Sequence, residues 1–341
     1  MRLYSLVFLL LVGGVASAQR PDSVSRLIDS ALNVMEHRGL SSHKLNWKKL
    51  RSRVDAMSRN ARTDRDAMPA LFWAFDQLHD KHGWITIADS MHYNAQVKRE
   101  KRTWSAGLDS ALRRGPKLYN GIVAGKYAYI SIHFFGRQTE EAMNGFAQQV
   151  RDSLCRNVTA DTRGIIVDLR LNGGGNSFPM YQGIANVFGD RALTEGVDGR
   201  GRTTGVFAIR SGRVTMHGNY GDSLQLRAPR GCGDLSALPV AVLISPVTGS
   251  SAEQLAMAFT SRPNSVLIGE RTAGYVTANN GFELPGVNNG IVVAEGLTRN
   301  VHGKLFREAV YPDIEVIGED DFVDREHDAK IRAAVKWLEG R

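Results

Sequence analysis

The sequence predicts an α/β layered fold, and three observations carry that prediction. Two apolar runs, residues 164–167 and 240–244, each end in a turn of small residues that opens onto a helical pattern. Between about residues 118 and 318, strand-like runs alternate with amphipathic segments and glycine turns. Ahead of that block, residues 19–80 carry almost only helical periodicity and read as a small helical region of their own.

In chain order, residues 1–18 come first. Arg2 gives a positive end, residues 6–12 are apolar, and Ala16-Ser17-Ala18 is a small-residue cleavage pattern. This predicts a secretory signal peptide removed before Gln19. The apolar run is short for a bilayer span, and no cysteine follows the cleavage pattern to take a bacterial-type lipid anchor. The expectation is an exported protein, periplasmic, cell-envelope or secreted, without stable membrane insertion. Residues 19–87 form the expected helical cap: Val24, Leu27, Ile28, Ala31, Leu32 and Met35 recur at helical spacing, as do Leu50, Val54 and Met57, then Met68, Leu71, Phe72 and Phe75. At its end a helix stops, Gly83 turns the chain, and a short strand begins. His79 and His82 lie at that junction.

Residues 88–117 are polar and poorly periodic, which predicts a linker with one short helix near 106–112. Runs 119–123 and 128–135, split by Gly125-Lys126, predict a hairpin. Residues 139–158 place Ala142, Phe146, Val150 and Leu154 on one helical face. Then comes a buried strand that turns charged only at its end, Asp168-Leu169-Arg170. Leu171-Asn172-Gly173-Gly174-Gly175 follows, and a helix from about Met180. Three glycines permit positive φ and close approach of a ligand to the main chain. A Walker loop would need Lys-Ser/Thr and a dinucleotide fingerprint Gly-x-Gly-x-x-Gly; neither is present. An oxyanion hole or substrate-backbone cradle fits what remains. Residues 193–231, rich in Gly and Arg, read as β-hairpins or an insertion. Strands are expected at 240–244, 265–268, around 282, at 290–295 and near 314. Residues 319–341 read as a charged C-terminal helix.

Composition narrows the function classes. The chain is 43% hydrophobic and 23% charged, an ordinary globular mixture. Its formal net charge is +8, but apart from residues 98–102 the Lys and Arg are dispersed, with no nucleic-acid module beside them. A solvated cationic surface is expected, and no nucleic-acid partner. The two cysteines, Cys155 and Cys232, lack companions at metal-ligand spacing, so no metal or other cofactor is expected. Export permits a disulfide between them, and the sequence leaves their pairing open.

Chemistry concentrates at Thr248-Gly249-Ser250-Ser251-Ala252-Glu253. A serine at a strand–turn–helix junction sits among unpaired backbone N–H groups, where a nucleophile has donors nearby for a developing oxyanion. By itself the same segment also fits a plain helix cap. Taken with the Asp168–Gly175 turn, with Gly269, Thr272 and Gly274, and with Pro312-Asp313, it resembles the tail-specific, or C-terminal processing, serine peptidase family. The family turn Asp-Leu-Arg-x-Asn-x-Gly-Gly is matched in full, and the resemblance covers about residues 19–316. It implies a ClpP/crotonase-like αββ core under an N-terminal helical cap, with Ser250 as nucleophile and a peptide or protein as substrate.

Two departures from the family pattern shape the expectation. Where many members carry a catalytic lysine after Gly-x-x-Thr-x-Gly, this chain has Tyr275, and phenols, titrating near 10, are poor bases at neutral pH. Residues 88–116 are also too few to hold the family's PDZ module. Both features resemble a PDZ-less branch similar to the nisin resistance protein, which implies a Ser–His pair. Asp80-Lys81-His82-Gly83 matches the corresponding histidine segment, so His82 rather than His79 is the expected base. Backbone N–H groups of Gly174 and Ser251 are the expected oxyanion donors, with Glu253, Thr272, Asn172 and Gly175 in support. Asp80, Glu270 and Glu253 stay open as a third catalytic member. The competing reading is a secreted peptide-binding protein on the same fold without catalysis. An α/β-hydrolase esterase would need Gly-x-Ser-x-Gly, and the second glycine is missing.

Overall fold

A computed structural model describes residues 20–98, 102–218 and 226–341. The expected signal segment, 1–18, and residues 99–101 of the basic cluster lie outside the described residues. The chain starts with three helices, α1 (Asp22–Arg38), α2 (Trp47–Ser58) and α3 (Asp64–Asp76), with a 3₁₀ turn at Ser42–Lys44. Polar caps start two of them. The Asn46 side chain accepts from Lys49 N, and Thr63 and Asp66 form a reciprocal capping box at α3. The apolar stripe of α1 packs with Leu71 and Phe75 of α3 onto Ile85, Ile87, Ile291 and Val293.

Strands β1 (Trp84–Ile87) and β2 (Ser90–Tyr93) form a hairpin, followed by α4 (Ala106–Arg113). Strand β2 falls inside the stretch read as linker, because Ser90-Met91-His92-Tyr93 is too short a run to declare a period against its polar surroundings. Next come β3 (Tyr119–Val123), β4 (Tyr127–Ser131), α5 (Glu140–Cys155), β5 (Gly164–Asp168), α6 (Ser177–Gly183) and α7 (Ala185–Phe188). A meander of β6 (Arg191–Val197), β7 (Thr203–Arg210) and β8 (Arg213–Gly218) precedes β9 (Val240–Ile244), α8 (Ser251–Phe259) and β10 (Ser265–Gly269). The chain closes with β11 (Ala278–Glu283), β12 (Gly290–Asn300), β13 (Leu305–Phe306), β14 (Ile314–Glu315) and α9 (Ala329–Glu339). The tail turns helical only at Ala329, where the buried Asp328 side chain caps Ile331 N.

Two sheets organise these elements. One runs β14-β10-β9-β5-β4-β3, parallel except for the β3–β4 hairpin. Ile165, Val167, Val240 and Val242 face α5 to α8 on one side; Ile166, Ala241 and Leu243 face α9 on the other. Burial on both faces explains why these strands read as continuous apolar runs. The second sheet runs β2-β1-β12-β6-β7-β8, with β11 and β13 also on β12. Strand β12 extends to Asn300, beyond the short strand expected at 290–295, because its polar second half pairs with β6 and β13. Through the β1–β12 pairing the helical cap is hydrogen-bonded directly to residues of the core. The open question of the cysteines is settled as a Cys155–Cys232 disulfide, tying α5 to the loop before β9.

Candidate active site

Two turns leave the C-terminal ends of the neighbouring parallel strands β5 and β9, so their tips lie side by side. Ser245 Oγ donates to Arg170 O at 2.7 Å, Thr248 Oγ1 to Leu169 O at 2.9 Å, and Gly249 N to Asn172 O at 3.0 Å. These bonds bring the glycine turn against the serine turn. A Cβ at Gly174, where φ is +118°, would lie 2.7 Å from Ser250 Cβ and 2.9 Å from Gly249 O. Only glycine permits that approach. Ser250 itself sits at φ 51° and ψ −116°, a sparsely populated conformation for a residue with a side chain. The backbone thus holds the hydroxyl off the end of α8.

Glu253 fixes this conformation from inside. Its carboxylate is fully buried and accepts from Ser250 N (2.8 Å), Gly274 N (2.7 Å), Tyr275 N (2.7 Å) and Thr272 Oγ1. Burial pushes the Glu253 carboxyl up, and the donated hydrogen bonds oppose that by favouring the anion. Thr272 Oγ1 also accepts from Val310 N, fastening the 272–275 loop to the chain beyond β13.

His82 Nε2 lies 3.0 Å from Ser250 Oγ. Its Nδ1 faces two oxygens of Thr277, the carbonyl at 3.0 Å and Oγ1 at 2.9 Å. A ring donating from Nδ1 to the Thr277 carbonyl leaves the Nε2 lone pair for the serine hydroxyl, the arrangement a general base requires. Burial lowers the His82 pKa below its ordinary 6.5 and Lys81 adds to that; Asp80 and the Thr277 carbonyl oppose it. The residue sits 168 positions from Ser250 in sequence.

None of the three expected third members reaches the His82 ring. Asp80 Oδ1 accepts from the backbone N–H of His82 and Gly83, and Oδ2 from Ala294 N, so it shapes the turn that presents the ring. Glu270 pairs with Lys330 at 2.9 Å. Glu253 serves the serine turn, as above. Thr277 takes the place beside Nδ1, and sequence reasoning missed it. A backbone carbonyl leaves no residue-type signal, and the only pointer was its place two residues after Tyr275.

Of the two expected oxyanion donors, one already has a partner. Gly174 N donates to Asn172 Oδ1 at 2.9 Å, so this amide is already engaged. Gly173 and Gly175, rather than Gly174, line the cleft, together with Ser250 and Ser251. Ser251 is the first residue of α8, where the backbone N–H has no partner within the helix. Its own hydroxyl donates to Gly175 O at 2.5 Å.

The cleft measures about 980 Å³ and lies between the cap hairpin, the glycine turn and the second sheet. Trp84, Tyr93, Phe134, Phe178 and Phe207 line it, and residues 278–281 of β11 run along one wall. Among the described residues β11 pairs only with β12, which leaves its other edge open. The Tyr275 ring centroid stands 5.3 Å from that of His82, with Lys81 Nζ and Arg102 Cζ over the tyrosine at 5.7 and 5.2 Å.

Comparison with known proteins agrees on family and fold. The model of "Peptidase family S41" matches residues 126–316. A nisin-resistance protein of Lactococcus lactis subsp. lactis is 26% identical over 259 residues, 76% of this chain and 73% of that protein. The structure of a lipoprotein from Streptococcus agalactiae superposes with a TM-score of 0.70 at 18% identity, covering 100% of both chains. The photosystem II D1 C-terminal processing protease does so with a TM-score of 0.56 at 15% identity, over 92% of this chain and 97% of that one.

Proposed function

The chain belongs to peptidase family S41, and on that premise we propose that it is an exported serine peptidase whose reacting pair is Ser250 and His82. The observation that carries this reading is the 3.0 Å contact between His82 Nε2 and Ser250 Oγ at the floor of an open cleft. Ser250 Oγ attacks the scissile carbonyl while His82 Nε2 takes its proton. Thr277 holds the imidazole in the accepting tautomer, the task a carboxylate performs in a three-member set. The oxyanion is received by Ser251 N–H and by an amide of the 173–175 turn. Gly174 contributes only when its N–H turns from Asn172 Oδ1. His82 then returns the proton to the leaving amine, and water attacks the acyl-enzyme by the same route in reverse. Losing one oxyanion donor costs such enzymes about 100- to 1000-fold in rate.

A polypeptide substrate fits the cleft as an added strand. The open edge of β11 offers main-chain groups, and the aromatic wall offers pockets for alternate side chains. Export rests on the sequence of residues 1–18. Among the described residues, no helix is long and apolar enough to cross a membrane.

Fluorophosphonate labelling tests the reading. Covalent modification of Ser250 is expected in the folded protein, absent in Ser250→Ala and suppressed in His82→Ala. A folded protein that takes no label would instead be a peptide-binding member of the family. Tyr275, in place of the family's lysine, is the observation that favours that second reading. Mass spectrometry of new termini in a denatured proteome would then define the cleavage preference.

A further inference from the structure

Arg102 closes the basic cluster at residues 98–102, which no step of the proposed reaction uses. It lies ahead of α4 in a stretch that is neither helix nor strand. Three positions on, Ser105 caps α4, and its Oγ donates to the buried Asp320 at 2.6 Å. The segment is thereby anchored to the core. From that anchor the half-buried Arg102 side chain reaches two carbonyls in two different turns. Nη1 donates to Pro246 O at 3.2 Å, and Nη2 donates to Ala273 O. Its Cζ also stands 5.2 Å from the centre of the Tyr275 ring, within range of a cation–π attraction.

Those carbonyls belong to the two segments that hold the reacting pair. Pro246 lies in the turn that delivers Ser250. Ala273 lies in the 272–277 loop, whose Gly274 and Tyr275 N–H groups reach Glu253 and whose Thr277 backs His82. One backbone bond already joins turn and loop, from Ala273 N to Thr248 O at 2.8 Å. Arg102 takes the carbonyl of the same residue, so both main-chain polar groups of Ala273 are held. A guanidinium suits this task. Its donors project in a fixed plane, and hydrogen bonds from a charged donor are roughly twice as strong as neutral ones. Lysine carries the charge without the flat fork.

We infer that Arg102 is a positioning residue: it fastens the 272–277 loop to the serine turn, so that Thr277 and Glu253 hold His82 and Ser250 at reacting distance. The inference rests on the Ser250–His82 reading above. Arg102 does not line the cleft, and it acts through the loop it holds. Without it, two carbonyls lose a charged donor, and the loop that backs both reacting groups is free to shift. A misplacement of about 1 Å at reacting atoms is enough to cost on the order of 100-fold in rate.

The rate at which a small fluorophosphonate labels Ser250 in the full mature chain tests this, and no peptide substrate need be known. Arg102→Ala should label at least about tenfold more slowly than the parent protein. Ethylguanidinium at millimolar concentration should then recover at least about threefold in Arg102→Ala and leave the parent unchanged. A merely structural loss would show no such recovery, because guanidinium ions weaken folds. Arg102→Lys should also label more slowly than the parent, and it decides the matter if Arg102→Ala fails to fold. The inference is overturned if either folded variant labels at the parent rate, or if ethylguanidinium leaves the slowed Arg102→Ala untouched. A parent protein that takes no label refutes the Ser250–His82 reading itself, and this inference falls with it.

Discussion

The His82 ring contacts Thr277 and Ser250 rather than a carboxylate. In the proposed mechanism only the neutral ring can accept the serine proton, and burial holds the folded-state pKa below 6.5. The ring is therefore unprotonated at neutral pH, and kcat/KM should fall as pH drops through a value under 6.5. A pH–rate profile with a fluorogenic peptide measures this; an acidic limb above 6.5 would contradict it. The same depression links protonation to stability. Its contribution is complete above 6.5 and is lost as pH falls through the folded value. Tyr275 is assigned no proton transfer. Its ring lies under Lys81 and Arg102, and its backbone N–H, not its hydroxyl, reaches Glu253. Tyr275→Phe keeps both features, so activity should stay within about threefold, a barrier change well under the 1.36 kcal/mol of a tenfold effect. Abolished turnover in a folded Tyr275→Phe would reopen the choice of base.

At the scale of elements, the site is made by two strand–turn–helix units meeting at their turns. Gly174→Ala tests how tightly they meet. A Cβ there would overlap Ser250 Cβ and Gly249 O, and the positive φ adds strain of about 1–3 kcal/mol. The serine turn must then shift, so labelling of Ser250 should slow at least about 100-fold while far-UV circular dichroism is retained. Both units were legible in the sequence, because each is an apolar run, residues 164–167 and 240–244, that ends in a small-residue turn ahead of a helical pattern. The strand β2 and the second half of β12 were not legible. Neither is a sustained apolar run, and what makes them strands is the partner across the sheet. Thr277 was hidden for the same reason: its contribution is a main-chain oxygen placed by β11.

The whole molecule is closed by a buried charge network. Arg170 Nη2 and Nη1 meet Asp168 at 2.7 Å, Asp320 at 2.9 Å and Asp328 at 2.6 Å, all with side chains at most 1% exposed. Lys330 also meets Asp320 at 2.9 Å. The glycine turn is thereby tied to the helix at the far end of the chain. Arg170→Met would leave three buried carboxylates short of their partner, and loss of one member of such a set costs about 3–5 kcal/mol. Urea unfolding should show a midpoint lowered accordingly, and an unchanged midpoint would mean the network is not a closure. The Arg of Asp-Leu-Arg was visible as a motif, but its partners 150 and 158 residues away were not.

Local pattern alone settled the α/β class, the order of helices and strands in the core, and the serine and glycine turns, because each follows from apolar spacing and small-residue chemistry within a dozen positions. Tertiary structure decided which oxygen backs the histidine, which glycines of the turn line the cleft, that the cap shares a sheet with the core, and that the two cysteines join. Each of those is a meeting of residues far apart in the chain. The free energy that selects it comes from burial and pairing across the whole molecule, which no local window of sequence contains.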